Sequence, residues 1–179
     1  MNRRILIWAL VSIAAVMVSP VIVQGIRLES YKSEIAKLID SAAPAERKLP
    51  QPVRDLLLFS LRGDTARYTA RLLIEQFDVA KPPPNPLAWS FIFTEWTLFS
   101  ALRFSEQERL TLIAHLAPSG GDRHGLDNTA QALFGHSLSD VTFVEAATLI
   151  VLSRAPSLYD NPDRLTAMRD QFLSRFQAR

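Results

Sequence analysis

No stretch of this 179-residue chain alternates apolar and polar residues with a period of two; its apolar residues recur three and four positions apart instead. That spacing stacks side chains on one face of a helix, so the chain is expected to be all-α. The helix ends are signposted. Ser105 with Glu108, and Thr142 with Glu145, read as capping boxes, in which a hydroxyl takes the N3 amide and the N3 carboxylate reaches back. Asn161 followed by Pro162 reads as an N-cap and a first-turn proline, opening a last helix with Leu165, Met168, Phe172 and Phe176 on one face. Gly135 reads as the C-cap of a short helix before it.

Upstream, Leu28, Tyr31, Ile35, Leu38 and Ile39 mark an amphipathic helix, and the Ala- and Pro-rich stretch Ser41 to Pro50 reads as a linker. A strongly apolar helix opens at Pro52 and Val53 and runs through Phe59; Arg67 to Phe77 is another. Lys81 to Pro86 is too proline-rich for helix. From Leu87 to Leu102 nearly every side is apolar, including Trp89, Phe91, Phe93, Trp96 and Phe99, which predicts a helix buried in the core.

The N-terminus narrows the compartment. Arg3 and Arg4 precede an uncharged apolar run from Ile5 to Val23, close to the ~20 residues that cross a bilayer as a helix. The arginines favour a cytoplasmic N-terminus and an external remainder. A cleaved signal peptide ending near Gly25 is the competing reading, but the run exceeds the usual ~15 residues of a signal core. The expected organisation is a membrane anchor over 1–26, an amphipathic helix and linker over 27–50, and a helical domain over 51–179.

Several chemistries have no footing. There is no cysteine, hence no disulfide or thiolate site, and a net charge of +2 gives no basic face for nucleic acid. His115, His124 and His136, with Asp122 and Asp127, lack metal-ligand spacing, so neither metal nor cofactor is expected. Gly120-Gly121 lacks the Lys-Ser or Lys-Thr that would make it a phosphate loop, and reads as a turn.

The residues from Gly125 to Arg164 carry a more specific pattern. Phe134-Gly135-His136-Ser137, then Val141 through Glu145-Ala146-Ala147, then Ala155-Pro156-Ser157 and Tyr159, stand in the order and spacing of the late motifs of the peptidoglycan glycosyltransferase (transglycosylase) domain of class A penicillin-binding proteins. Arg103-Phe104-Ser105 through Leu110 is similar to that domain's entry into its fourth motif, with Glu106, Thr111 and His115 at its lysine, glutamate and asparagine positions. The resemblance implies a lysozyme-like helical fold on the outer face of the bacterial inner membrane, polymerising a lipid-linked disaccharide-pentapeptide into glycan strands. It also implies two catalytic glutamates: a base for the acceptor hydroxyl in a Glu-Asp-x-x-Phe motif, and a partner for the departing pyrophosphate in an Arg-Lys-x-x-Glu motif.

Neither motif is intact. Counting back from Ser105 puts the second glutamate at Phe93 and the Arg-Lys pair at Trp89 and Ser90; after Leu56 to Phe59, Ser60-Leu61 stands where Glu-Asp would. Loss of a general base costs about 100-fold to 10,000-fold in rate. The expected function is therefore that of a catalytically inactive, membrane-anchored relative, periplasmic or extracytoplasmic, which binds or regulates in cell-wall synthesis. Its expected partners are lipid-linked precursor or glycan strand, the membrane and cell-wall synthesis proteins. Arg71, at a phosphate-contacting lysine position, and Arg123 are the expected substrate-binding residues. Two alternatives stay open. One is an enzyme that polymerises or cleaves glycan with Glu95, an acid among apolar residues, as its catalytic group, although Glu95 lies about 200° around the helix from Phe93. The other is a membrane-tethered interaction module whose likeness to the family is accidental.

Overall fold

The computed structural model describes residues 28–79, 85–120 and 123–179. Among them every regular element is a helix, and the pairing of Pro118 with His124 is an isolated bridge. No helix among the described residues is long and apolar enough to cross a membrane, and the run from Ile5 to Val23 lies outside them. The chain divides into two units, Met1–Lys37 and Leu38–Arg179. In the first, the described residues are helical apart from a turn at Tyr31, with Lys32 and Glu29 paired at 3.3 Å. Helix α1 (Lys32–Ser41) begins there and ends in the second.

The second unit continues with α2 (Pro44–Arg47), α3 (Gln51–Leu61), α4 (Thr65–Gln76), α5 (Pro86–Arg103), α6 (Glu106–Leu116), α7 (Leu126–Phe134), α8 (Phe143–Arg154) and α9 (Pro162–Gln177). Short 3-10 turns at Leu138–Asp140 and Pro156–Asp160 flank α8. The expected caps form. Ser105 and Thr142 each accept from the amide three residues on, and Glu108 and Glu145 each take the cap's own amide at 2.7 Å. Asn161 caps α9, and Gly135, at φ 77°, closes α7 in a backbone conformation that a Cβ disfavours.

At the centre lies α8, buried from Ala146 through Ser153. It is flanked by α3, α7 and α9, while α4 packs between α5 and α6. Arg109 ties this second layer together, donating to Thr65 Oγ1 at 3.0 Å and to the Phe104 carbonyl.

Two expectations fail. The stretch Ser41 to Pro50 is not an open linker: it holds α2, whose Glu46 is 2% exposed. The Glu46 carboxylate accepts from the amides of Ala43 and Asp127 at 3.2 Å each, and meets His115 Nδ1 at 3.0 Å. Asp127 extends the network, accepting from Leu138 N at 2.8 Å and Ser137 Oγ at 3.0 Å. Buried carboxylates need such partners, and here they lock α2, α6 and α7 together. Gly125 is required beside them, because a Cβ there would stand 2.9 Å from Glu46 Oε1. His115, on α6, is part of this network.

The second failed expectation is the burial of α5. Only Trp96, Phe99 and Ser100 are buried, while Leu87, Phe91, Leu98 and Leu102 are 69, 65, 56 and 81% exposed. Among the described residues α5 packs chiefly along α4, so one side of an all-round apolar helix is covered and the other is not.

Candidate functional site

A cleft of about 970 Å³ opens where the ends of α3 and α8 meet α4 and α5. Helix α3 supplies Ser60 and Leu61, followed by Arg62, whose φ of 53° reverses the chain toward α4. Arg67, Tyr68, Arg71 and Glu75 line it at one-turn intervals along α4. Trp89, Ser90, Phe93 and Thr94 face it from α5, and Arg154 from the last turn of α8.

The sequence spacing placed the family's two glutamates at Ser60-Leu61 and Phe93, far apart along the chain, and both positions lie in this one wall. Neither carries a carboxylate. The two acids that do line the cleft are engaged. Asp64 caps α4 by accepting the Arg67 amide at 3.1 Å, and Glu75 pairs with Arg71 at 3.1 Å on an exposed turn.

The cleft's cations come from three segments. Arg67 sits 5.3 Å from the Phe93 ring centroid and Arg154 sits 5.8 Å from that of Tyr68, both cation–π arrangements. Arg154 also donates to the Ser60 carbonyl at 2.9 Å, which holds its guanidinium across the cleft floor. Tyr68 donates to the Ser153 carbonyl at 3.1 Å. Burial raises its pKa, while the Arg154 and Arg71 charges pull the other way. With four arginines against two engaged carboxylates, the cleft offers an anion several fixed donors, and guanidinium is the group suited to bidentate phosphate contact.

The residues singled out from sequence separate here. Arg71 lines the cleft. Arg123 does not; its guanidinium lies 4.8 Å from the Tyr159 ring centroid. Glu95 is partly buried on α5, next to Thr94 but outside the lining. Glu145 serves its capping box and meets His136 Nε2 at 3.3 Å. Arg154 and Tyr68 were not singled out, since no local motif marks them and only the crossing of α4, α5 and α8 brings them together. Among the described residues no group of histidines and acids is arranged to hold a metal.

Comparison with known proteins bears on the half of the chain that follows this wall. The Transglycosylase family model matches residues 96–177. Those residues are a transglycosylase-family segment. Penicillin-binding protein 1C of Escherichia coli (strain K12) is 36% identical over 90 residues, 49% of this chain and 11% of that protein. Penicillin-binding protein 1A of Clostridium perfringens (strain 13 / Type A) is 39% identical over 56 residues, 31% of this chain and 8% of that protein. The chain thus spans about a tenth of the length of these relatives. Of the residues lining the cleft, only Arg154 falls inside the transglycosylase segment.

Proposed function

We propose that this chain is a membrane-anchored, transglycosylase-like protein of cell-wall synthesis that binds lipid-linked peptidoglycan precursor without polymerising it, on a lysozyme-like scaffold facing the extracytoplasmic side. One observation carries the reading. The positions that the sequence spacing assigns to the family's two glutamates, Ser60-Leu61 and Phe93, line one cleft, and the acids present there are taken up by a helix cap and an exposed ion pair. A sugar hydroxyl needs a positioned base to act as a nucleophile, and Ser60, Leu61 and Phe93 offer no carboxylate for that role. What the cleft keeps is a set of cations, Arg67, Arg71 and Arg154, suited to the diphosphate of such a precursor. The protein then acts as a binding or regulatory component rather than as a polymerase. An enzyme working through Glu95 is less favoured, because that side chain lies outside the lining, and the acids inside it, Asp64 and Glu75, serve a helix cap and an ion pair.

The test is equilibrium binding of the precursor to the purified full-length protein in detergent. Arg67→Ala and Arg154→Ala should each weaken binding about tenfold, the loss expected for one charge-assisted contact. Arg123→Ala should leave it unchanged. Equal affinity of all three variants and the parent would remove the cleft from the account.

A further inference from the structure

A second, smaller cavity adjoins the arginine cleft. About 290 Å³ in volume, it lies between α8 and α9, and Ser60 and Arg154 line both spaces. Helical spacing brings its other residues together. Ile150, Val151 and Arg154 share one face of α8, while Met168, Gln171, Phe172 and Arg175 recur three and four apart on one face of α9. The floor is fixed. Ile150 is fully buried, Phe172 packs against the core that holds Val151, and the Phe172 ring lies 5.5 Å from that of Phe59. Met168 at the rim is 38% exposed, a flexible side chain able to adjust to a ligand.

Two arginines edge this apolar floor, and no carboxylate is among the described residues that line it. Arg175 has no ion pair among the described residues, in contrast to Arg169 on the same helix, which meets Asp170 at 2.7 Å. Arg154 donates to the Ser60 carbonyl, which leaves the rest of its five-donor fork. The last carbonyls of α8 do not draw on these cations, since that of Ser153 accepts from Tyr68 and those of Val151 and Leu152 accept from the Ala155 amide.

We propose that this cavity is a subsite for a short aliphatic chain ending in a carboxylate, and that it holds the peptide arm of the ligand whose diphosphate lies in the cleft. The proposal rests on the precursor-binding reading above. Size and charge select this class. The space is at the lower end of the ~300–1,000 Å³ of small-ligand pockets and suits a terminal fragment. The floor takes small apolar side chains out of water, and the two guanidinium groups match a carboxylate. Because Ser60 and Arg154 belong to both walls, one branched ligand can enter both spaces.

Met168 makes the subsite readable, since the other methionines are Met1 and Met17. Full-length protein in detergent carries ¹³C at its methionine methyls, and Met168→Leu assigns the signal of interest. That signal is followed by NMR during titration with N-acetyl-alanyl-alanine in its L,L and D,D forms, with the corresponding C-terminal amides, and with inorganic pyrophosphate. Expected is a saturable shift with the acid, weakened about tenfold by amidation or by Arg175→Ala, the loss of one charge-assisted contact. Arg175 is exposed, so its replacement leaves the fold intact. Arg67→Ala should leave the dipeptide affinity unchanged. Equal binding of acid and amide, or a Met168 shift with pyrophosphate as large as with the acid, overturns the subsite.

The dipeptide-bound protein is then challenged with intact precursor and with precursor stripped of its peptide. Displacement by the intact form alone supports the assignment of the arm; displacement by both, or by neither while both bind, overturns it. A precursor that does not bind at all, with the dipeptide shift retained, overturns the precursor-binding reading and leaves the carboxylate subsite standing, so the two failures are told apart.

Discussion

Helices α5 and α8 are both apolar around most of their circumference, yet α8 buries eight consecutive residues, and α5 buries three and exposes four large hydrophobic side chains. The difference lies in their neighbours. Helix α8 is enclosed by α3, α7 and α9, whereas α5 rests chiefly on α4. The same contrast divides the chain. The transglycosylase segment holds the enclosed helix, both complete Ser/Thr capping boxes and the Asp127 network, while most of the cleft wall and the uncovered side of α5 precede it or fall where it begins.

Truncation sharpens this contrast most. Ile150→Ala on α8 should lower stability by about 2–5 kcal/mol, because it opens a cavity with no solvent to fill it. Leu98→Ala on α5 should change stability by less than about 0.5 kcal/mol. Chemical denaturation of the two variants checks this, and a comparable loss at Leu98 would mean that α5 is enclosed after all. Next in size is Glu46→Ala, which leaves two backbone amides and His115 without their acceptor and should cost about 2–3 kcal/mol. A smaller loss would mean that water replaces the carboxylate there.

The helix ends were legible in the sequence because a cap is local: Ser105 and Glu108, Thr142 and Glu145, and Asn161 signal within three residues of the bond they make. Side-chain coverage was not legible. An all-round apolar pattern states that α5 can be buried on every face, but not which neighbours arrive. Glu46 was hidden for a related reason, since the partners that stabilise it, His115 and Asp127, are distant in sequence and the Pro-rich context suggested a linker. The site was half legible. Counting from Ser105 and the apolar lead-in to Ser60 found Ser60, Leu61, Trp89, Ser90 and Phe93 of its wall, and the resemblance added Arg71. Arg154 and Tyr68 belong to it only through the tertiary crossing of helices.

Thr142→Ala removes one side-chain cap from the enclosed helix and should cost about 1 kcal/mol, measurable as a drop in Tm. The smallest effect is pH-dependent. Hydrogen bonding to the Ser137 carbonyl, and then the Glu145 carboxylate, raises the His136 pKa above its usual value. Its contribution to stability is full below the unfolded-state pKa of about 6.5 and is lost as pH rises through the higher folded value. Glu145 is held low first by the Thr142 amide, so its contribution is present above the ordinary carboxylate range and lost on strong acidification. The Tm difference between the parent and His136→Asn should therefore shrink from mildly acidic to alkaline pH, and a constant difference would show that the pair is not coupled to folding.

The most direct test of the central claim follows polymerisation and binding together, with purified full-length protein and lipid-linked peptidoglycan precursor in one detergent solution. The predicted result is saturable binding that Arg67→Ala weakens, with no glycan strand formed over hours. Parent protein that forms glycan would contradict the account and place a working base in a cleft where Ser60, Leu61 and Phe93 stand.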